Sequence, residues 1–321
     1  MSQSHISIIV PAYNRAWSIE RAITSVLHQT SHDWELVIVD DGSTDTTQEV
    51  VAKYLSDSRV RYFKKEHAGV GAARNFGIVQ AHNELVTFLD SDDEFVPDAI
   101  REMQKDAQLL EGQDAVSVVL YLARKARARW YQDTRLFDGE RIDYKSTVTG
   151  RWPLVETVQL CRKDTFKQFL FPVIPGGHET ILWHSLLKYK GPGLVRTKIL
   201  RIYHTEHSSR LTSASSVVER ARTMPALYEI FLEEFGKDYE TWNPKQLAYF
   251  YMEKGIFEIT DGKLREGRAS IRNGARFDKR KIPLAVLVFS MSILPKTVFA
   301  KFAQLRQFVK EVLVDIRGGG L

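Results

Sequence analysis

Four short apolar runs, each leading into a stretch of polar turn residues or of helical periodicity, constrain this chain more than any other feature. Residues 6–10 (ISIIV), 34–39 (WELVIV), 60–63 and 85–89 read as strands. Residues 19–28, about 44–55, 70–80 and about 97–110 read as helices, the first carrying Ile19, Ala22, Ile23, Val26 and Leu27 at helical spacing. Ser43 or Thr44 is expected to cap the second helix, and Pro97 to sit in the first turn of the fourth. Strand and helix in this alternation predict a largely parallel sheet with right-handed crossovers. Ligands of such sheets bind beyond the carboxyl ends of the strands. Three polar signatures fall there: PAYNR (11–15), DDGS (40–43) and DSDD (90–93). Their convergence on one edge weighs more than any one of them.

The middle of the chain is less regular. Residues 115–122, 155–161 and 195–204 read as strands and 179–189 as a helix. Beyond about residue 217 the pattern is helical: 217–235, 244–259, 262–274, an apolar segment, and about 297–316. A chain of 321 residues suits one large domain or two smaller ones. The expected division is 1–215, with halves at about 1–110 and 111–215, and a helical region at 216–321. With 44% hydrophobic and 26% charged residues the composition is globular. The N-terminus shows no basic n-region, so no signal peptide is expected. The single cysteine, Cys161, excludes an internal disulfide framework and fits a reducing compartment; following VETVQL, it reads as a buried strand residue.

The stretch ELVTFLDSDDEFVP (84–97) sets four carboxylates, Asp90, Asp92, Asp93 and Glu94, in five positions. Such crowding is tolerated in solvent, or around a cation. A D-x-D at a strand end can turn two carboxylates toward Mg²⁺ or Mn²⁺, which leaves positions open for phosphate oxygens. The bland alternative is an acidic loop in which Asp93 and Glu94 serve the following helix N-terminus. HAGVGAARNFG (67–77) mimics a dinucleotide fingerprint, but Arg74 stands where the third glycine belongs. Gly69 and Gly71 then open a helix, and Arg74 projects toward phosphate or a neighbouring carboxylate. Asp40 and Asp41 can accept from a base N–H or a ribose hydroxyl, or cap a helix.

VPAYNR (10–15), SVLHQT (25–30), WELVIVDDGSTD (34–45), GVGAARNFGI (69–78) and FLDSDDEFVPD (88–98) occur in that order. Together they resemble the family 2 glycosyltransferases of bacterial polysaccharide and glycolipid type, closely over 5–110 and loosely over 150–212. The resemblance implies an α/β GT-A fold, a mostly parallel, Rossmann-like central sheet flanked by helices, with a C-terminal helical extension. It implies an inverting, metal-assisted transfer from a nucleotide-sugar, UDP-linked in preference, to a glycan or lipid-linked acceptor. The nucleotide-sugar would lie against Pro11, Tyr13, Asn14, Arg15, Asp40, Asp41, Arg74, Asp90, Ser91 and Arg210. A divalent cation, Mn²⁺ or Mg²⁺, would be held by Asp92, Asp90 and His207, with His204 as the other histidine of that loop. The family's general base sits in a Glu-Asp pair opening a helix; here Glu179-Thr180 stands in its place, in PGGHETILWHSLL (175–187). Glu179 is the expected base, with His178 contributing if the pair has shifted by one. A degenerate GT-A protein that binds without catalysis, and a nucleotidyltransferase, are the other readings; VPAYNR lacks the Gly-rich basic loop of the latter.

The charge of +5 is unevenly placed. Residues 263–317 hold thirteen Lys/Arg against four Asp/Glu. Within them, the apolar stretch 282–294 is too short to span a bilayer, which takes about 20 residues. Basic flanks and the helical spacing of Val298, Phe299, Phe302, Leu305, Phe308, Val309 and Val312 suit a peripheral anchor on anionic lipid over about 280–317. The alternative is a helical cap packed on the catalytic domain. The basic, aromatic stretch ARKARARWYQDTR (123–135) is assigned to acceptor or headgroup contact, and no nucleic-acid partner is expected. The expected location is cytoplasmic, at the inner face of the cell membrane.

Overall fold

The computed structural model describes residues 4–112, 115–126, 137–151, 156–174, 179–204 and 217–316. They form two compact units. The first takes residues up to Tyr144 together with 154–173 and 179–205; the second takes 145–153, 174–178 and 206–321.

The first unit opens with Ile6–Ala12 (β1), Ile19–Leu27 (α1), Trp34–Asp40 (β2), Thr47–Ala52 (α2), Val60–Lys64 (β3), Val70–Gln80 (α3) and Leu85–Phe88 (β4). Strands β1 to β4 are mutually parallel in the order β3-β2-β1-β4. All seven residues of β1 and of β2 are buried, as expected of parallel strands covered on both faces. Ile6, Ile8 and Val10 of β1 join Leu36 and Ile38 of β2 and Ile19, Ile23 and Val26 of α1 in one core. Full burial of each such side chain contributes about 1.5–3 kcal/mol. Pro11 is tolerated in β1 because β4 pairs only with Ile6–Ile9, so the missing N–H faces no partner strand.

The rest of the sheet is mixed. Glu94–Phe95 (β5), Ala99–Asp106 (α4), Val118–Lys125 (β6), Arg141–Ile142 (β7), Tyr144–Val148 (α5), Thr157–Arg162 (β8), Thr180–Tyr189 (α6) and Gly193–Tyr203 (β9) follow. The order continues β4-β8-β6-β9-β5, with β7 also on β9. Here β6 and β9 run parallel, whereas β8 is antiparallel to both β4 and β6, and β5 and β7 are antiparallel to β9.

Two local expectations are corrected. Glu94 enters β5 and α4 starts only at Ala99, so Asp93 and Glu94 do not serve that helix N-terminus and Pro97 precedes it. Neither Ser43 nor Thr44 caps α2, which starts at Thr47 after Thr46; Asp45 Oδ1 instead accepts from the Thr47 N–H at 3.0 Å.

The second unit is helical: Val217–Arg220 (α7), Met224–Trp242 (α8), Pro244–Asp261 (α9), Leu264–Phe277 (α10), Ile282–Met291 (α11) and Lys296–Ile316 (α12). The expected helix over 217–235 is two helices, the second begun by Pro225 in its first turn. Helices α9 and α10 cross closely because Gly255 faces Gly267: a Cβ at Gly255 would lie 2.7 Å from the Gly267 carbonyl oxygen. Pro283 sits in the first turn of α11 and does not break it.

Candidate active site

The carboxyl ends of β1, β2, β3 and β4 converge, and their loops lock one another. Asn14, with φ 53°, accepts at its side-chain carbonyl from the Thr44 N–H at 2.9 Å, while its own N–H donates to Ser43 Oγ at 2.9 Å. The Arg15 N–H donates to Thr47 Oγ1 at 2.8 Å. Asp40 is buried: Oδ1 accepts from the Ser43 N–H at 2.7 Å and Oδ2 from the Tyr62 hydroxyl at 2.5 Å. Burial and this carboxylate push the Tyr62 hydroxyl up. Asn14 and Asp40 therefore spend their side chains on loop architecture.

Asp41 has a different setting. Its carboxylate accepts from the Gly69 N–H at 2.7 Å and the Ala68 N–H at 3.0 Å, and pairs with Lys65 Nζ at 2.6 Å and His67 Nδ1 at 2.8 Å. Next to it the exposed Tyr13 ring stacks on His67 with centroids 4.0 Å apart. An aromatic face, a buried carboxylate and the lysine paired with it thus share one corner.

The second cluster is built on Asp90, at the end of β4. Arg74 of α3 reaches Asp90 Oδ1 at 2.7 Å through Nη2 and Glu179 Oε1 at 3.3 Å through Nη1. Arg201 of β9 reaches Asp90 Oδ2 at 3.1 Å, Asp93 Oδ2 at 3.5 Å and Glu156 Oε2 at 2.8 Å. Both guanidiniums are buried. Although burial opposes ionisation, Arg74 and Arg201 hold the Asp90 carboxyl below its ordinary value. Asp93 goes the other way, pushed up to about 8 by burial and by the nearby Asp90 and Asp92 charges, against the pull of Arg201. Ser91 is buried between them in sequence, and the Asp92 backbone carbonyl accepts from Arg21 Nη2 at 2.5 Å. Glu94 pairs with His204 Nε2 at 3.1 Å, and the His204 N–H donates to Asp93 Oδ1 at 3.1 Å.

Glu179 stands immediately before α6, and Trp183 one turn on donates from Nε1 to its Oε2 at 3.2 Å. Thr180, at the expected Asp position, is the first residue of α6, and its carbonyl bonds His184 Nδ1 at 2.9 Å. Burial depresses His184 to about 4, leaving it neutral.

The structure thus brings Arg74, Asp90 and Glu179 into direct contact, with Ser91 and Asp92 next in the chain. Arg74 takes the carboxylate option among its two expected roles. His178, His207, Arg210 and residues 127–135 of the basic stretch lie outside the described residues. Among the described residues no group of three or more His, Cys, Asp or Glu is arranged to hold a metal ion. Both Asp90 oxygens face arginines, Oδ1 Arg74 and Oδ2 Arg201. Sequence reasoning missed Lys65, His67 and Arg201. The signal for Arg201 was an arginine between Leu200 and Ile202 in an otherwise strand-like run, where a charge needs a partner.

The model of the family described as Glycosyl transferase family 2 matches residues 7–171, half of the chain. The chain belongs to that family. A β-1,3-glucosyltransferase of Campylobacter jejuni, named for a GalNAc(5)-diNAcBac-PP-undecaprenol acceptor, is 29% identical over 219 residues, covering 66% of this chain and 68% of its own. Staphylococcus aureus TarS 1–349 in complex with UDP-GlcNAc superposes with a TM-score of 0.56 at 19% identity, over 86% of this chain and 90% of that one. The Pyrobaculum calidifontis mannosyltransferase PcManGT, in complex with GDP-Man and Mn²⁺, gives 0.58 at 16% identity, over 95% and 88%. At such identity the two structures establish a shared fold, that of glycosyltransferases. The chain spans a third or less of the length of the curated relatives it matches first, uncharacterised Rickettsia glycosyltransferases.

Proposed function

We propose that this chain is an inverting glycosyltransferase, moving a sugar from a nucleoside-diphosphate donor, UDP-linked in preference, to a hydroxyl of a glycan or lipid-linked acceptor. The observation that carries the reading is the span of Arg74, which ties Asp90 at the end of β4 to Glu179 at the head of α6. One guanidinium thereby sets the donor end of the site against a carboxylate able to take a proton. In single displacement the acceptor hydroxyl attacks the anomeric carbon from the face opposite the leaving diphosphate, and Glu179 accepts its proton. Tyr13 offers the nucleobase a ring face, and Asp41 accepts a base N–H in exchange for Lys65. Pro11, Arg15 and Ser91 belong to the same donor reading, and the Arg15 charge acts on Asp90. Asp92, with Asp90 behind it, would hold Mn²⁺ or Mg²⁺, and the cation would supply positive charge against the diphosphate as it leaves. The family resemblance assigns His207 to the cation and Arg210 to the donor. The UDP-GlcNAc and Mn²⁺ complexes of the two fold neighbours support this choice of donor and cation.

Thermal unfolding with UDP, GDP and Mn²⁺ tests the donor reading. UDP with Mn²⁺ is expected to raise the midpoint, by stabilisation of about 2.7 kcal/mol at a hundredfold excess over Kd. The shift should vanish without the metal and in Asp92→Ala. Absence of a shift with every nucleoside diphosphate would overturn the donor reading.

The peripheral-membrane reading belongs to the second unit. No helix among the described residues is long and apolar enough to cross a membrane. Ile282, Val286 and Leu287 of α11, Ile293 and Leu294 after it, and Val298 and Leu305 of α12 are exposed. Lys279, Arg280 and Lys281 precede them, a charge pattern suited to anionic headgroups. Truncation after Arg280 is expected to move the protein out of the membrane fraction; retention there would sink this part.

A further inference from the structure

Helix α3 does more than carry Arg74. Residues 71, 74, 75 and 78 share one helical face. Gly71 meets the segment between β8 and α6 so closely that a Cβ would lie 2.2 Å from the Pro172 carbonyl oxygen. One turn on, Asn75 grips the adjoining residue at both ends of its peptide functions: Nδ2 donates to the Phe171 carbonyl at 2.9 Å, and Oδ1 accepts from the Phe171 N–H at 3.0 Å. No other hydrogen bond to that backbone is needed, and only an amide supplies donor and acceptor at this spacing.

The gripped residue is a wedge. The Phe171 ring is buried and meets Phe88 edge-on at 5.0 Å and Trp183 edge-on at 6.0 Å. The Arg74 guanidinium lies 5.2 Å from the Phe171 ring centroid. Among the described residues, Trp183 and Arg74 contact the Glu179 carboxylate directly, at 3.2 and 3.3 Å. One ring therefore supports both, and its backbone is fixed by one side chain.

We infer that Asn75 is the positioning residue for Glu179, acting through the Phe171 wedge on Trp183 and Arg74; the catalytic consequence rests on the reading of Glu179 as general base. Asn75 itself touches neither Glu179 nor the reacting atoms. Asn75→Asp keeps size and the acceptor to the Phe171 N–H but replaces the donor by an oxygen facing a carbonyl.

Hydrogen exchange followed by mass spectrometry on the full chain tests the coupling without using activity. In Asn75→Asp, exchange is expected to rise both over 168–174 and over the first turns of α6 at 179–186, with β1 and β2 still protected, which certifies the fold. A rise confined to 168–174 overturns the inference. If Asn75→Asp does not fold, Phe171→Leu, which keeps the backbone clamp and shrinks the wedge, should loosen 179–186 alone; unchanged exchange there overturns it equally. Release of UDP from UDP-GlcNAc with Mn²⁺ provides the kinetic arm. Asn75→Asp should lower kcat ~10²-fold, the scale of a small misplacement of a reacting group. The donor KM should stay within about threefold, since the interaction lost is made in the transition state. In a Glu179→Gln background the same change should cost nothing further; an equal cost in both backgrounds overturns the inference. Full activity of Glu179→Gln alone would sink the general-base reading, while the exchange result still decides the clamp.

Discussion

Glu179→Gln is expected to lower kcat by about 10³-fold, within the range that a positioned general base contributes. The substitution is nearly isosteric. The amide can still accept from Trp183 Nε1, now 3.2 Å away, so the helix start should be preserved. What disappears is the capacity to take the acceptor proton, together with the charge facing Arg74 at 3.3 Å. Donor affinity, measured by titration with UDP-sugar, should change little, because the corner at Tyr13 and Asp41 that we propose for the nucleotide is built from other loops. Glu179→Asp should recover part of the rate, its carboxylate being retained but withdrawn by one methylene. If Glu179→Gln transfers sugar at the full rate, the base lies elsewhere, and His178 becomes the residue to replace next.

Arg201→Met is expected to be the most damaging substitution for stability in the first unit, costing on the order of 3–5 kcal/mol, as removal of one partner from a buried ion pair does. Arg201 is 6% exposed and faces Asp90, Asp93 and Glu156. Without it, among the described residues, Asp90 keeps the Arg74 pair and the more distant charge of Arg15, and Asp93 keeps the hydrogen bond from the His204 N–H at 3.1 Å. The sign of the pH dependence follows. Arg201 favours the ionised carboxylates, so its loss costs most where they are charged, and the gap to the unsubstituted chain should narrow as pH falls and they protonate. Arg201→Lys should recover only part of the loss, since one ammonium cannot fork between Asp90 and Glu156. Denaturation midpoints at several pH values check both statements; a gap independent of pH would remove the electrostatic account.

Legibility in the sequence was uneven, and the division has a physical logic. The elements of the first hundred residues were readable because parallel strands buried on both faces leave apolar runs, as in ISIIV and WELVIV, and because helix α1 keeps its apolar stripe. Asp90 and Asp92 were readable as a strand-end pair. Errors came where local chemistry had two solutions. Asp93 and Glu94 could have served a helix N-terminus; they serve Arg201 and His204 instead, because a two-residue strand intervenes before α4. The largely parallel sheet held for β1 to β4, whereas the half around β8 is mixed, since the direction of a strand leaves no periodicity in its residues.

By itself the sequence determined the main strands and helices of the first hundred residues, and that three polar loops meet at the strand ends. Those are properties of hydrophobic period and of right-handed crossovers, both short-range. Only the tertiary structure decided which charges meet. Arg201 reaches Asp90 across 111 residues, and Asn75 grips Phe171 across 96. The path between them runs through the strand order β4-β8-β6-β9. That order is chosen by the packing of whole elements, so a carboxylate or an amide carries no local mark of the partner that the finished sheet delivers to it.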